Sequence, residues 1–139
     1  MIHVPGRLVH GEISDKILKA YYQVYDALPY GLPESAYQRA MQIALTDLGL
    51  KFETEKIFAV YFRDQCVGRY RGDLVVEGRV IVENKTATRI VEAHINQLCG
   101  YLRISGLQVG LILNFGPEPT FERYFLHSRG ERLRLSEEP

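Results

Sequence analysis

Two short stretches hold the residues whose types and spacing suit chemistry: Arg71-Gly72-Asp73-Leu74-Val75-Val76 and Val80-Ile81-Val82-Glu83-Asn84-Lys85. Side chains alternate faces along a strand, so Glu83 and Lys85 point one way and Asn84 the other. Opposed residues of an antiparallel hairpin share a face, and their numbers keep a constant sum. With Glu77-Gly78-Arg79 as the turn, Asp73 falls opposite Glu83, and Gly78 supplies the backbone freedom such a turn needs. A two-residue turn would set Asp73 against Val82 and send the carboxylates to opposite faces, so the reading requires an odd-length turn or a bulge. Two neighbouring carboxylates repel each other, and a divalent cation relieves that repulsion. Oxygen ligands without a His or Cys cluster favour Mg²⁺ or Mn²⁺ over Zn²⁺. A lysine beside such a metal can orient an attacking water and offset charge building on a scissile phosphate. On spacing alone, a plain Lys85–Glu83 or Lys85–Asp73 ion pair accounts for the same pattern, because Glu-x-Lys is a common tripeptide.

Such a hairpin needs a framework. Both of its faces are otherwise apolar, Val75 and Ile81 on one, Leu74, Val76, Val80 and Val82 on the other, which places it inside a sheet covered on both sides. Ile13, Ile17, Leu18, Tyr21, Val24, Tyr25 and Leu28 recur at helical spacing and predict a helix over residues 10–28. After Pro29-Tyr30-Gly31, a second helix is expected from near Pro33 through Tyr37, Met41, Leu45 and Leu48, stopping at Gly49. Residues 52–62, 66–76 and 80–85 read as strands, 90–104 as a helix, 109–114 as a buried strand and 120–126 as an edge strand. Three consecutive strands form an antiparallel meander, and the helix before Val109 implies a parallel crossover. The expectation is one α/β domain over residues 1–139, its central mixed sheet flanked by helices. Residues 1–25 read as an N-terminal helical extension that helps build an oligomer or a lid, and residues 128–139 as a frayed, flexible tail.

The 139 residues, 46% apolar and 24% charged, suit a single globular domain with a real core. No apolar run approaches the ~18 residues that span a bilayer, and the N-terminus lacks a signal-peptide pattern, so the expected place is the cytoplasm, with no membrane partner. Cys66 and Cys99 lack metal-ligand spacing and read as two buried, reduced thiols. A net charge of zero gives no overall pull toward nucleic acid. Residues 61–134 nevertheless carry eleven Lys/Arg against eight Asp/Glu, and twelve of the seventeen cations are Arg, whose planar fork suits phosphate. Tyr21, Tyr22, Tyr25 and Tyr30 could stack on bases, but Tyr21 and Tyr25 lie on the apolar stripe and read as core.

Several motifs agree with one family. Gly31-Leu32-Pro33-Glu34-Ser35-Ala36-Tyr37 resembles the motif that names the GxxExxY family, a branch of the PD-(D/E)XK nuclease superfamily. In register with it, Tyr70–Val76 resembles the family's aspartate-bearing strand, Val80–Lys85 its E-x-K strand, His94–Leu102 its helix and Gly110–Gly116 its closing strand. The resemblance covers roughly residues 26–126. Gln97 and Tyr101 also match the Q-x-x-x-Y pattern of RecB-type nucleases, four apart on one helix face. Asn84 departs from the aliphatic residue usual between Glu and Lys, but it faces away from the site and needs a partner if buried. The resemblance implies a restriction-endonuclease-like core and a Mg²⁺-dependent (or Mn²⁺-dependent) deoxyribonuclease acting on DNA. In it Asp73 and Glu83 hold metal, Glu34 joins them from the second helix, Lys85 positions water, and Gln97 and Tyr101 line the substrate side. His94 reads as structural, and a homodimer is expected because so small a domain offers little surface to a duplex. The competing expectation is an inactive nucleic-acid- or protein-binding module that keeps the fold.

Overall fold

The computed structural model describes residues 9–126 and the backbone of 132–135. Helix α1 (Gly11–Ala27) forms where the apolar spacing places it, with Ile17, Ala20, Tyr21 and Val24 buried along one stripe. Helix α2 (Glu34–Asp47) begins immediately after Pro33 and buries Tyr37, Met41, Ala44 and Leu45. Strands β1 (Phe52–Phe62), β2 (Gln65–Val76) and β3 (Val80–Lys85) follow, then helix α3 (Glu92–Ser105), β4 (Val109–Phe115), β5 (Pro119–Leu126) and β6 (Arg132–Leu135).

The strands form one six-stranded sheet in sequence order. Every neighbouring pair is antiparallel except β3 with β4, which α3 joins as a parallel crossover. Helices α1 and α2 cover one face. Their apolar stripes meet Leu74, Val76, Val80, Val82, Leu111, Leu113 and Phe115. Helix α3 covers the other face, where Ile95, Leu98, Cys99 and Leu102 meet Val75, Ile81 and Ile112. The apolar residues of the β2–β3 hairpin thus divide between two cores as their alternation requires. Strand β4 is buried along its whole length. Gly110 on this strand lets α3 settle onto the sheet: a Cβ there would stand 2.6 Å from Leu98 Cδ1.

Three expectations change. Helix α1 is no appendage, since Tyr21 packs edge-on to Phe115 with ring centroids 5.0 Å apart, and Tyr37 stacks on the same ring at 4.6 Å. The segment expected as a flexible tail contains β6, whose ladder with β5 makes β1 and β6 the sheet edges. The rest of that tail, and the lead-in through residue 8, lie outside the described residues. Cys99 is buried as expected, but Cys66 is exposed, because β1 and β2 run past the part of the sheet that the helices cover. No helix among the described residues is long and apolar enough to cross a membrane.

Candidate active site

The turn between β2 and β3 is the three-residue loop Glu77-Gly78-Arg79, with Glu77 at φ 53° and Gly78 at φ 65°. It sets the pairs Val76↔Val80, Val75↔Ile81 and Leu74↔Val82. One further step of this register would set Asp73 opposite Glu83, but the ladder stops at Leu74↔Val82. The carboxylates take over the exposed N–H groups. Asp73 N–H donates to Glu83 Oε2 at 2.9 Å, and Asn84 N–H donates to Asp73 Oδ2, also at 2.9 Å. Each acid accepts from the opposite strand, so both carboxylates converge on the gap where β2 and β3 part. Charge-assisted bonds of this kind fix a carboxylate more firmly than a neutral partner would.

The pair is held at a high electrostatic cost. Glu83 is only 2% exposed. Burial first, and the Asp73 charge second, push its carboxyl up to about 8, against a smaller pull from the Asp73 N–H and Lys85. Burial likewise raises Asp73, while the Asn84 N–H and Lys85 draw it down. Lys85 forms no ion pair among the described residues, which sets aside the plain Lys85–Glu83 and Lys85–Asp73 bridges. Its ammonium instead donates to Gln97 Oε1 at 2.7 Å, and Gln97 Nε2 donates to Tyr101 OH at 3.3 Å. The Tyr101 hydroxyl is raised by burial and then by Glu83, so it sits within the field of the acids.

Glu34 occupies the first turn of α2, its carboxyl raised by burial and then by Asp73, and lowered by Lys85. It stands near the pair without completing a cage: among the described residues no three His, Cys, Asp or Glu side chains gather closely enough to hold a metal ion. The donor set nevertheless fits a hard divalent cation. Mg²⁺ keeps several waters and binds through one or two carboxylates, and two neighbouring acids with raised pKa values, one buried and one half-buried, are relieved by one. His94 lies beside the site in a structural role, its Nδ1 accepting the Val91 N–H at 3.1 Å.

Sequence reasoning missed two braces. Gln38 on α2 donates from Nε2 to the Asp73 carbonyl at 3.0 Å, and its Oε1 accepts a short bond from Asn84 Nδ2. Gln38 is the partner that buried Asn84 needed, although Asn84 Oδ1 has no hydrogen-bond partner among the described residues. Asn114 holds the loop after Lys85: its Oδ1 accepts the Ala87 N–H at 3.0 Å and its Nδ2 donates to the Ala87 carbonyl at 2.9 Å. Asparagine at the end of an apolar strand was a visible cue. Gln38 carried none, since its bonds depend on how α2 lies across the sheet.

Residues 11–124, from α1 to β5, match the family model described as the PD-(D/E)XK nuclease superfamily. No curated protein matches the chain in sequence. Among solved structures, the chain is similar to SSO0001, at 17% identity and a TM-score of 0.49 over 86% of this chain and 61% of that one. It therefore spans less than two thirds of that protein's length. It is also similar to Hjc, a Holliday junction resolvase from the archaeal hyperthermophile Archaeoglobus fulgidus, at 16% identity and a TM-score of 0.41, over 74% of this chain and 88% of that one. The family match covers both helices before the sheet, the splayed β2–β3 pair and the crossover helix: the chain belongs to the PD-(D/E)XK nuclease superfamily.

Proposed function

We propose that the protein is a divalent-metal-dependent nuclease that hydrolyses phosphodiester bonds in DNA, with Asp73, Glu83 and Lys85 at its centre. The observation that carries this reading is the reciprocal capture of backbone N–H groups by the carboxylates of buried Glu83 and half-buried Asp73. It fixes each acid across the gap between β2 and β3 while leaving an oxygen of each uncommitted by those bonds. Asp73 and Glu83 would hold Mg²⁺ or Mn²⁺, with Glu34 as the nearest further carboxylate. The ion, when bound, supplies Lewis-acid polarisation of the scissile phosphate.

The chain's own residues do the rest. Gln97 anchors one ammonium hydrogen of Lys85, which leaves the other two for a water and a phosphate oxygen. A cation fixed there offsets charge that develops on the phosphate, and needs no rearrangement to do so. Tyr101 closes the row from the α3 side and presents a hydroxyl to the substrate. Incubating the protein with labelled DNA in millimolar Mg²⁺ or Mn²⁺, and in chelator, tests the reading. Asp73→Ala and Lys85→Ala should keep the fold and lose cleavage by about 100-fold or more. Undiminished cutting by the purified double variant would defeat the assignment, and metal-independent binding without cleavage would indicate the non-cleaving module.

A further inference from the structure

Strands β1 and β2 outlast the sheet that carries the acids. Past Asp73 they stay paired from Lys56↔Gly72 to Phe62↔Gln65, with a register shift at Val60/Tyr61, whereas β3 leaves them at Leu74↔Val82. The resulting arm runs about nine residues from Asp73 to its turn, roughly 30 Å at the rise of a strand. Its base adjoins the acids, since a Cβ on Gly72 would stand 3.7 Å from Phe58 and 3.9 Å from Glu83 Oε2.

One face of the arm leans on α3. Phe58 packs against the α3-side core, and the ring of Tyr70 lies 6.4 Å from that of Tyr101. The rest is open to solvent: Tyr61 is 64% exposed, Phe62 60%, Val67 63%, Ile57 54% and Tyr70 43%. So many large apolar side chains on one projection mark an interaction surface rather than chance exposure. The charge is also lopsided. Residues 56–71 hold Lys56, Arg63, Arg69 and Arg71 against the single carboxylate of Asp64, in a chain of zero net charge. Arg63 lies over the Phe62 ring at 4.9 Å, so cation and aromatic present one combined surface. Arg71 and Lys56 pair with Glu55 and Glu53 at 3.6 and 3.5 Å near the base, exposed contacts that a phosphate can displace.

We propose that this arm holds single-stranded nucleic acid and leads it to the acids at its base. Bases would stack on Phe62 and Tyr70, which share the face of the arm that Phe58 turns to α3, and phosphates would meet Arg63 over the Phe62 ring. The inference rests on the nuclease reading for the fate of the strand, but not for its binding. A single strand fits because stacking platforms need unpaired bases, whose faces a duplex hides. A second copy of the chain fits less well. A two-fold contact brings a patch against itself, which would set one cation-rich arm against another.

Anisotropy of a fluorescein-labelled oligothymidine of about 20 nucleotides, titrated with protein in EDTA, reads binding without cleavage. The single strand should bind more tightly than the matched duplex. Phe62→Ala/Tyr70→Ala should weaken it about 10-fold or more, and Arg63→Ala should flatten the salt dependence by about 0.7 units of log–log slope. All three positions are exposed and outside both cores, so melting should be unchanged. Equal binding by the aromatic variant, or preference for the duplex, overturns the proposal. So does sedimentation in which the wild-type chain self-associates and the aromatic variant is monomeric. Binding through the arm with no cleavage in Mg²⁺ removes the nuclease reading alone. Cleavage with undiminished binding by the arm variants removes the arm alone.

Discussion

Glu83 is buried, beside a second acid, with its carboxyl raised from 4.5 to about 8. In the metal-free protein the folded state therefore keeps a proton that the unfolded chain gives up near pH 4.5. The sign follows: the folded state binds more protons in this window, so stability is greatest below the unfolded value and is lost as pH rises through the folded one. Melting in chelator should fall as pH climbs from about 4.5 to about 8, and Glu83→Gln should remove most of that slope. A slope unchanged in the variant would place the titration elsewhere. Gln38 matters at the same scale. Gln38→Ala takes away the acceptor of the Asn84 amide and a donor to the Asp73 carbonyl. Leaving a fully buried amide unpaired costs about 1–3 kcal/mol, which urea unfolding would register; a cost near zero would mean that water replaces the bonds.

Among the elements, α3 and β4 set the distance between the two halves of the site. Helix α3 brings Gln97 and Tyr101, β3 brings Glu83 and Lys85, and the helix lies against β4 where Leu98 covers Gly110. Three atoms of the Leu98 side chain would stand within 3.0 Å of an added Cβ. Leu98 is fully buried and has nowhere to turn. Gly110→Ala should cost about 1–3 kcal/mol by overpacking and lift α3, lengthening the Lys85–Gln97 bond. Leu98→Ala should cost less in the Gly110→Ala background than in the wild type, because the two sites share one contact. Strictly additive costs in the double variant would point to backbone strain instead.

For the whole molecule, the sheet gathers acids at one end of a chain with no net charge. A cation bound only by the folded state adds stability as its concentration passes its dissociation constant. Millimolar Mg²⁺ should raise the melting temperature at about pH 8, where both acids are drawn toward ionisation, and raise it less near pH 5. Asp73→Ala should show neither shift. A melting temperature indifferent to Mg²⁺ and Mn²⁺ at both pH values would count against the pair as a metal holder, whatever the chain cuts.

Much of this was legible in the sequence. Apolar periods marked both helices of the first layer, the three-strand meander and the crossover, and an odd-length turn set the register seen from Val76↔Val80 to Leu74↔Val82. These are local properties: pleat alternation and turn length bind neighbours in the chain, so they can be counted from residue types. The tertiary structure alone decided that the ladder parts and the acids take its N–H groups, that Lys85 turns to Gln97, and that Gln38 braces Asn84. It also decided which stretch of strand is covered. Residues 52–62 and 66–76 read as ordinary strands, yet their outer halves leave the helices behind and expose Tyr61, Phe62 and Cys66. Burial and side-chain pairing depend on how helices lie across a sheet, a relation between distant segments that no local period encodes.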